Sequence, residues 1–192
     1  MKKTSPLVCA LTILSLGAFS ACRTRPAPSA VATPPPTSFL GAGPTAASAE
    51  LNPTQGNSVR GKVSFVKVSN GIRVVADVTG LTPGKHGFHI HEKGDCSAPD
   101  GNSAGGHFNP YSMPHAALHA DQRHVGDFGN IVADKSGNAH ADFIDVRISF
   151  DGLASILGRG VIVHANPDDL VTQPTGNAGA RVACGAIQLT SP

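Results

Sequence analysis

Val63-Ser64-Phe65-Val66-Lys67-Val68 and Ile72-Arg73-Val74-Val75-Ala76-Asp77-Val78, parted by Ser69-Asn70-Gly71, decide the fold class. Each run alternates with period two, which puts every second side chain on the same face of an extended chain. β-Branched residues dominate both runs, and Asn-Gly supplies the positive φ that a tight hairpin turn needs. Outward from this hairpin, further strands are expected at Gly87 to His91, Gly129 to Ala133, Ala139 to Val146, Val161 to His164 and Ala183 to Leu189. Turn clusters such as Asp134-Lys135-Ser136-Gly137-Asn138 separate them. Glu92 to Gly126 and Ala165 to Arg181 show no periodicity and read as two long loops. Loops of that length in a compact domain are usually functional. With 22 Gly, 15 Pro and no Trp, the composition also favours short strands joined by turns. The class expected is all-β, a sandwich or barrel.

The first 48 residues read differently. Met1-Lys2-Lys3 is a short basic start, and Leu7 to Phe19 is an uncharged apolar run too short to cross a bilayer comfortably, which fits an export signal over residues 1–21. Phe19-Ser20-Ala21-Cys22 resembles a bacterial lipobox, in which Cys22 would be lipidated and become the new N-terminus. Cleavage without lipidation would instead release a soluble protein. Residues 22–48 follow as a tether of Pro, Ala, Ser and Thr, including Pro34-Pro35-Pro36, with too few large apolar side chains to offset the entropy of ordering. The folded domain is expected over residues 49–192. Four basic residues, Lys2, Lys3, Arg23 and Arg25, precede it. Without them 11 basic residues face 13 acidic ones, a net charge of −2 that offers no basic stripe to a nucleic acid.

Nine His are the compositional oddity. His89-Ile90-His91 lies on an expected strand, so both imidazoles share a face and can reach one ion. H-x-H is weak evidence by itself. His107, His115, His124 and Asp127 follow, and three imidazoles with a carboxylate make a closed N/O set suited to a structural zinc. A solvated loop with scattered His is the alternative.

Five segments together carry a resemblance. Gly87-Phe88-His89-Ile90-His91-Glu92, Gly106-His107-Phe108-Asn109-Pro110, His124-Val125-Gly126-Asp127, Val163-His164-Ala165 and Gly176-Asn177-Ala178-Gly179-Ala180-Arg181-Val182-Ala183-Cys184-Gly185 resemble the copper/zinc superoxide dismutase family, in order and near its spacing. The resemblance spans roughly Ala49 to Thr190. It implies a flattened eight-stranded Greek-key β-barrel with two long functional loops. It implies copper held by His89, His91, His107 and His164, and zinc held by His107, His115, His124 and Asp127, with His107 bridging the two. Asp168 resembles the carboxylate that links a copper histidine to a zinc histidine, and such outer partners fix ring orientation. Arg181 would flank the copper and attract the anion, making it and His107 the catalytic residues. Cys96 and Cys184 would be bridged, with Cys9 lost in the signal and Cys22 the lipid acceptor. Among the remaining histidines, His86 suits a structural hydrogen-bonding role, His140 receives none, and His119 could compete for zinc, although the family spacing favours His115 and His124.

The implied activity is dismutation of superoxide to dioxygen and hydrogen peroxide in the cell envelope, with a lipid anchor holding the enzyme to a membrane. A copper-delivery module on the same fold, or an envelope protein that only sequesters zinc, are the rivals. The first would be favoured by loss of a copper ligand or of Arg181, and the second gives no reason for His89, His91 and His164. Only 16 residues separate His164 from Arg181, shorter than in many members, which leaves substrate guidance open. Members pair through different faces or stay monomeric, so a homodimer is one admissible state.

Overall fold

The computed structural model describes residues 43–191. The expected export signal, Cys22 and most of the expected tether lie outside them. Among the described residues nine antiparallel strands run in chain order: β1 (Ala46–Pro53), β2 (Arg60–Val68), β3 (Gly71–Thr79), β4 (Gly84–His91), β5 (Asp127–Ala133), β6 (Ala139–Asp145), β7 (Gly160–His164), β8 (Arg181–Ala186) and β9 (Gln188–Ser191). Their spatial order is β2-β3-β6-β5-β4-β7-β8-β1, and β1 pairs back onto β2 to close the ring. Eight strands thus form the expected barrel. The short β9 continues β8 beyond Ile187 and pairs with the start of β1.

The opening hairpin forms as read: β2 and β3 pair in unbroken register from Arg60↔Thr79 to Val68↔Gly71. Val63, Phe65, Ile72, Val74, Ala76 and Val78 point inward, 3% exposed or less. The sequence reading missed β1, and the strand runs through the expected boundary at Ala49 from Ala46 onward. Its inward residues are Ala47, Ala49 and Leu51, so its alternation is written mostly in alanine and blends with the tether before it.

β4 carries the link from fold to site. Phe88 and Ile90 enter the core, while His89 and His91 point to the opposite face of the sheet. That face is buried too, because the two long loops, 92–126 and 165–180, fold over it. Cys96 and Cys184 form a disulfide with Cα atoms 5.7 Å apart, fastening the first loop to β8. Its closed loop spans 88 residues, worth about 4–5 kcal/mol by the chain-entropy model.

Candidate metal centre

Local irregularities in the barrel place the site residues opposite one another. A register shift between Gly87 and His89 sets His89 across from Asp127 on β5. A second shift, between Val163 and His164, sets His164 across from Arg181 on β8. Such bulges re-aim side chains at the ends of strands. His91 forms an isolated backbone bridge with His107, drawing the first loop against β4. His115 and His124 then approach from the same loop.

Two groups of ligand atoms result. His89, His91, His107 and His164 form one, and His107, His115, His124 and Asp127 the other; within each, the ligand atoms lie within 4.8 Å of one another. All seven residues are buried. His119 is exposed and belongs to neither group. His140 is paired with Asp77 on the barrel surface at 2.7 Å. His86 sits between two carbonyls, its Nδ1 2.8 Å from that of His164 and its Nε2 2.8 Å from that of Thr82, so whichever nitrogen bears hydrogen has an acceptor.

Hydrogen bonding decides which nitrogens remain available. His91 Nδ1 donates to the Gly105 carbonyl at 3.0 Å and His164 Nδ1 to the Gly179 carbonyl at 3.1 Å. A carbonyl can only accept, so in the neutral rings both Nε2 atoms carry lone pairs. These two atoms face each other at 3.3 Å. His89 Nε2 meets Asp168 Oδ2 at 2.7 Å, leaving its buried Nδ1 without a partner among the described residues. His107 Nδ1 meets Asp127 Oδ1 at 2.8 Å, and its buried Nε2 is likewise without one. Two partnerless imidazole nitrogens beside two facing lone pairs in one buried place would be costly unless a cation sits among them. Burial lowers His107 to about 4 and His164 to about 3, and it holds His89 and His91 below the ordinary imidazole value as well. All four are neutral near pH 7 and able to ligate.

The second group fits zinc on similar grounds. His107, His115 and His124 Nδ1 lie 2.8, 3.0 and 3.2 Å from the single oxygen Asp127 Oδ1. Ligands about 2.0–2.1 Å from a tetrahedral ion would stand roughly 3.3 Å apart, close to this spacing. Burial alone would raise the Asp127 carboxyl, but hydrogen bonds with His107 and His124 and the close approach of His115 hold it well below the usual range. Burial works against charge on His115 too, yet Asp127 and Asp168 on either side raise it to about 9. This pocket therefore favours a positive charge at its centre, which is what a divalent ion supplies.

Asp168 joins the groups: Oδ2 to His89 Nε2, and Oδ1 to His115 Nε2 at 3.0 Å. Its backbone is fixed in turn by Asn130, through bonds of 2.8 and 2.9 Å. Gly176, at φ 67°, must lack a side chain, since a Cβ there would overlap Asp168 Oδ1 and crowd His115 Nε2 at 2.6 Å. Arg181 donates to the carbonyls of Gly101 at 2.7 Å and Gly105 at 2.6 Å. Gly105 thereby holds Arg181 and His91 through one oxygen. Arg181, His91 and His164 line a surface cavity of about 450 Å³ with Thr54, Asp100 and Thr175.

A family model described as copper/zinc superoxide dismutase matches residues 59–187. The chain belongs to the copper/zinc superoxide dismutase family. It is 48% identical over 140 residues to "Superoxide dismutase [Cu-Zn] 2" of Mesembryanthemum crystallinum, covering 69% of this chain and 89% of that one. It is 42% identical over 153 residues to the extracellular superoxide dismutase of Brugia pahangi, covering 74% and 75% respectively. Among solved structures, one titled for the clock protein EA4 superposes with a TM-score of 0.70 at 42% identity, over 76% of this chain and 95% of that chain. As a superoxide dismutase the protein is an oxidoreductase whose metals are copper and zinc, and both buried groups suit them.

The sequence reading did not find Arg123 and Asp145. Arg123 Nη2 meets Asp145 Oδ2 at 2.5 Å, with both residues 2% exposed. Arg123 Nη1 also donates to the carbonyls of His124, Val125 and Asp127. An Arg beside a histidine in a polar loop gives no local sign that it is buried. Its partner lies 22 residues on, at the end of β6.

Proposed function

We propose that His89, His91, His107 and His164 hold copper, that His107, His115, His124 and Asp127 hold zinc, and that superoxide enters by the cavity beside Arg181. The observation that carries this reading is His107, whose Nδ1 faces the Asp127 group while its buried Nε2, on the side of the other three histidines, has no partner among the described residues. When bound, copper supplies the one-electron couple for 2 O2•⁻ + 2 H⁺ → O2 + H2O2.

The chain supplies the rest. Arg181 is fixed by two carbonyls, so its positive charge stands ready at the cavity wall and needs no rearrangement to meet an anion. His107 Nε2 would take up a proton from cavity water when its lone pair is not engaged as a ligand, and give it up to the departing peroxide. Asp168 keeps the His89 and His115 rings oriented. The second proton comes from water in the open cavity. Pulse radiolysis of the copper- and zinc-loaded protein tests this: catalytic superoxide decay is expected, and decay no faster than with zinc alone would overturn it.

We further infer export and attachment to the cell envelope. Relatives from Brugia pahangi and Haemonchus contortus are named extracellular, and a structural disulfide belongs to an oxidising compartment. The signal-like residues 1–21 and Cys22 support the same reading. Cys22→Ala is expected to move the protein from membrane to soluble fractions with its activity unchanged, and an unaltered distribution would refute the tether. One acyl chain binds only marginally, so firm attachment implies several.

A further inference from the structure

The loop between β7 and β8 reaches the zinc group by a second route besides Asp168. The His115 N–H donates to Gln173 Oε1 at 2.7 Å, and Gln173 Nε2 donates to the His115 carbonyl at 2.8 Å. A single side-chain amide thus satisfies both backbone polar groups of His115. Nε2 also donates to the Val171 carbonyl at 3.2 Å, tying the amide to its own loop.

The other members of the group are placed differently. His107 is bridged to β4, the His124 N–H donates to Asp127 Oδ2 at 3.0 Å, and Asp127 begins β5. Among the described residues no main-chain group pairs with the His115 backbone. Its ring is held from the same loop by Asp168 Oδ1. His115 is therefore the zinc-group member whose position is set from outside its own loop, at ring and backbone alike.

We propose that Gln173 is a positioning residue that presets His115 for zinc, so that the β7–β8 loop governs how tightly the zinc group binds its ion. This rests on the ligand reading above. Partners that orient a ligand without touching the metal typically change its affinity by about 10- to 100-fold. Two neutral hydrogen bonds put Gln173 at the lower end, near tenfold.

The test uses disulfide-intact protein and two readouts other than activity. Zinc affinity is measured by competition with a chromophoric chelator, and site geometry by the visible absorption of Co(II) substituted for zinc. Gln173→Ala is expected to weaken zinc about tenfold and to shift the Co(II) bands, with copper affinity changed less than twofold. Gln173→Glu should fall between, since it keeps an acceptor for the His115 N–H but sets a carboxylate oxygen against the carbonyl. Val171→Ala, at a neighbouring site 71% exposed, should match wild type. Wild-type zinc affinity and Co(II) spectrum in Gln173→Ala would overturn the proposal, even with a lowered unfolding midpoint, because Gln173 would then only staple the loop. His124→Ala separates the two levels of inference. If it too leaves zinc binding intact, the ligand reading itself is wrong.

Discussion

Replacing Arg123 with Met leaves the Asp145 carboxylate buried, 2% exposed, without its cation. Asp145 Oδ1 would keep the backbone N–H groups of Arg147 at 2.7 Å and Ile148 at 3.2 Å, but Oδ2 would lose its one side-chain bond among the described residues. Breaking a buried ion pair from one side costs about 3–5 kcal/mol. The carbonyls of His124, Val125 and Asp127 lose a shared donor as well, which places Arg123→Met toward the upper part of that range. For a domain of this size about 3 °C accompanies each kcal/mol, so the midpoint should fall by roughly 10–15 °C. The measurement is denaturant and thermal unfolding of metal-free, disulfide-intact protein, where bound ions do not blur a two-state analysis. The double variant Arg123→Met/Asp145→Asn removes both charges and should recover at least about 1 kcal/mol relative to the sum of the single changes. A loss below about 1 kcal/mol in Arg123→Met, or strict additivity in the double variant, would refute the reasoning.

Further outcomes follow from the same geometry. Gly176→Ala forces the Asp168 carboxylate away from His115 and should weaken zinc binding at least tenfold, as chelator competition would register; unchanged affinity would mean the loop yields without disturbing Asp168. Arg181→Ala should lower the second-order rate of superoxide decay about tenfold, close to 1.4 kcal/mol, and flatten its salt dependence; rates equal to wild type at every ionic strength would contradict it. Asp100 lines the same cavity and acts on the Arg181 charge. One charge acting through water over about 8 Å alters local anion concentration roughly twofold at low salt, so Asp100→Asn should speed the reaction by that factor, while the remote Asp151→Asn should not. Equal effects of the two variants would point to net charge alone.

Much of this was legible in the sequence because the deciding features are local. Alternation in β2 and β3 shows the inward face directly, and H-x-H on β4 puts two rings on the outer face without help from elsewhere. The two long loops stood out as lacking periodicity, and they are the ones that cover the metal groups. What escaped the reading depends on distance or on ambiguous residues. β1 was hidden because Ala47 and Ala49 are too small to mark a buried face next to an alanine-rich stretch. Arg123, Asn130 and Gln173 look like surface polar residues until the fold brings Asp145, Asp168 and the His115 backbone to them. The carbonyls of Gly105 and Gly179, which fix the tautomers of His91 and His164, have no side-chain signature at all. The two register shifts that set His89 against Asp127 and His164 against Arg181 are likewise properties of strand pairing, which a single strand does not reveal.

The sharing of His107 between two metal groups is tested most directly by anomalous diffraction from crystals of the copper- and zinc-loaded protein, recorded at both absorption edges. A copper peak is expected among His89, His91, His164 and the Nε2 side of His107, with a zinc peak among His115, His124, Asp127 and its Nδ1 side. A single peak, or either peak away from the His107 ring, would contradict the assignment.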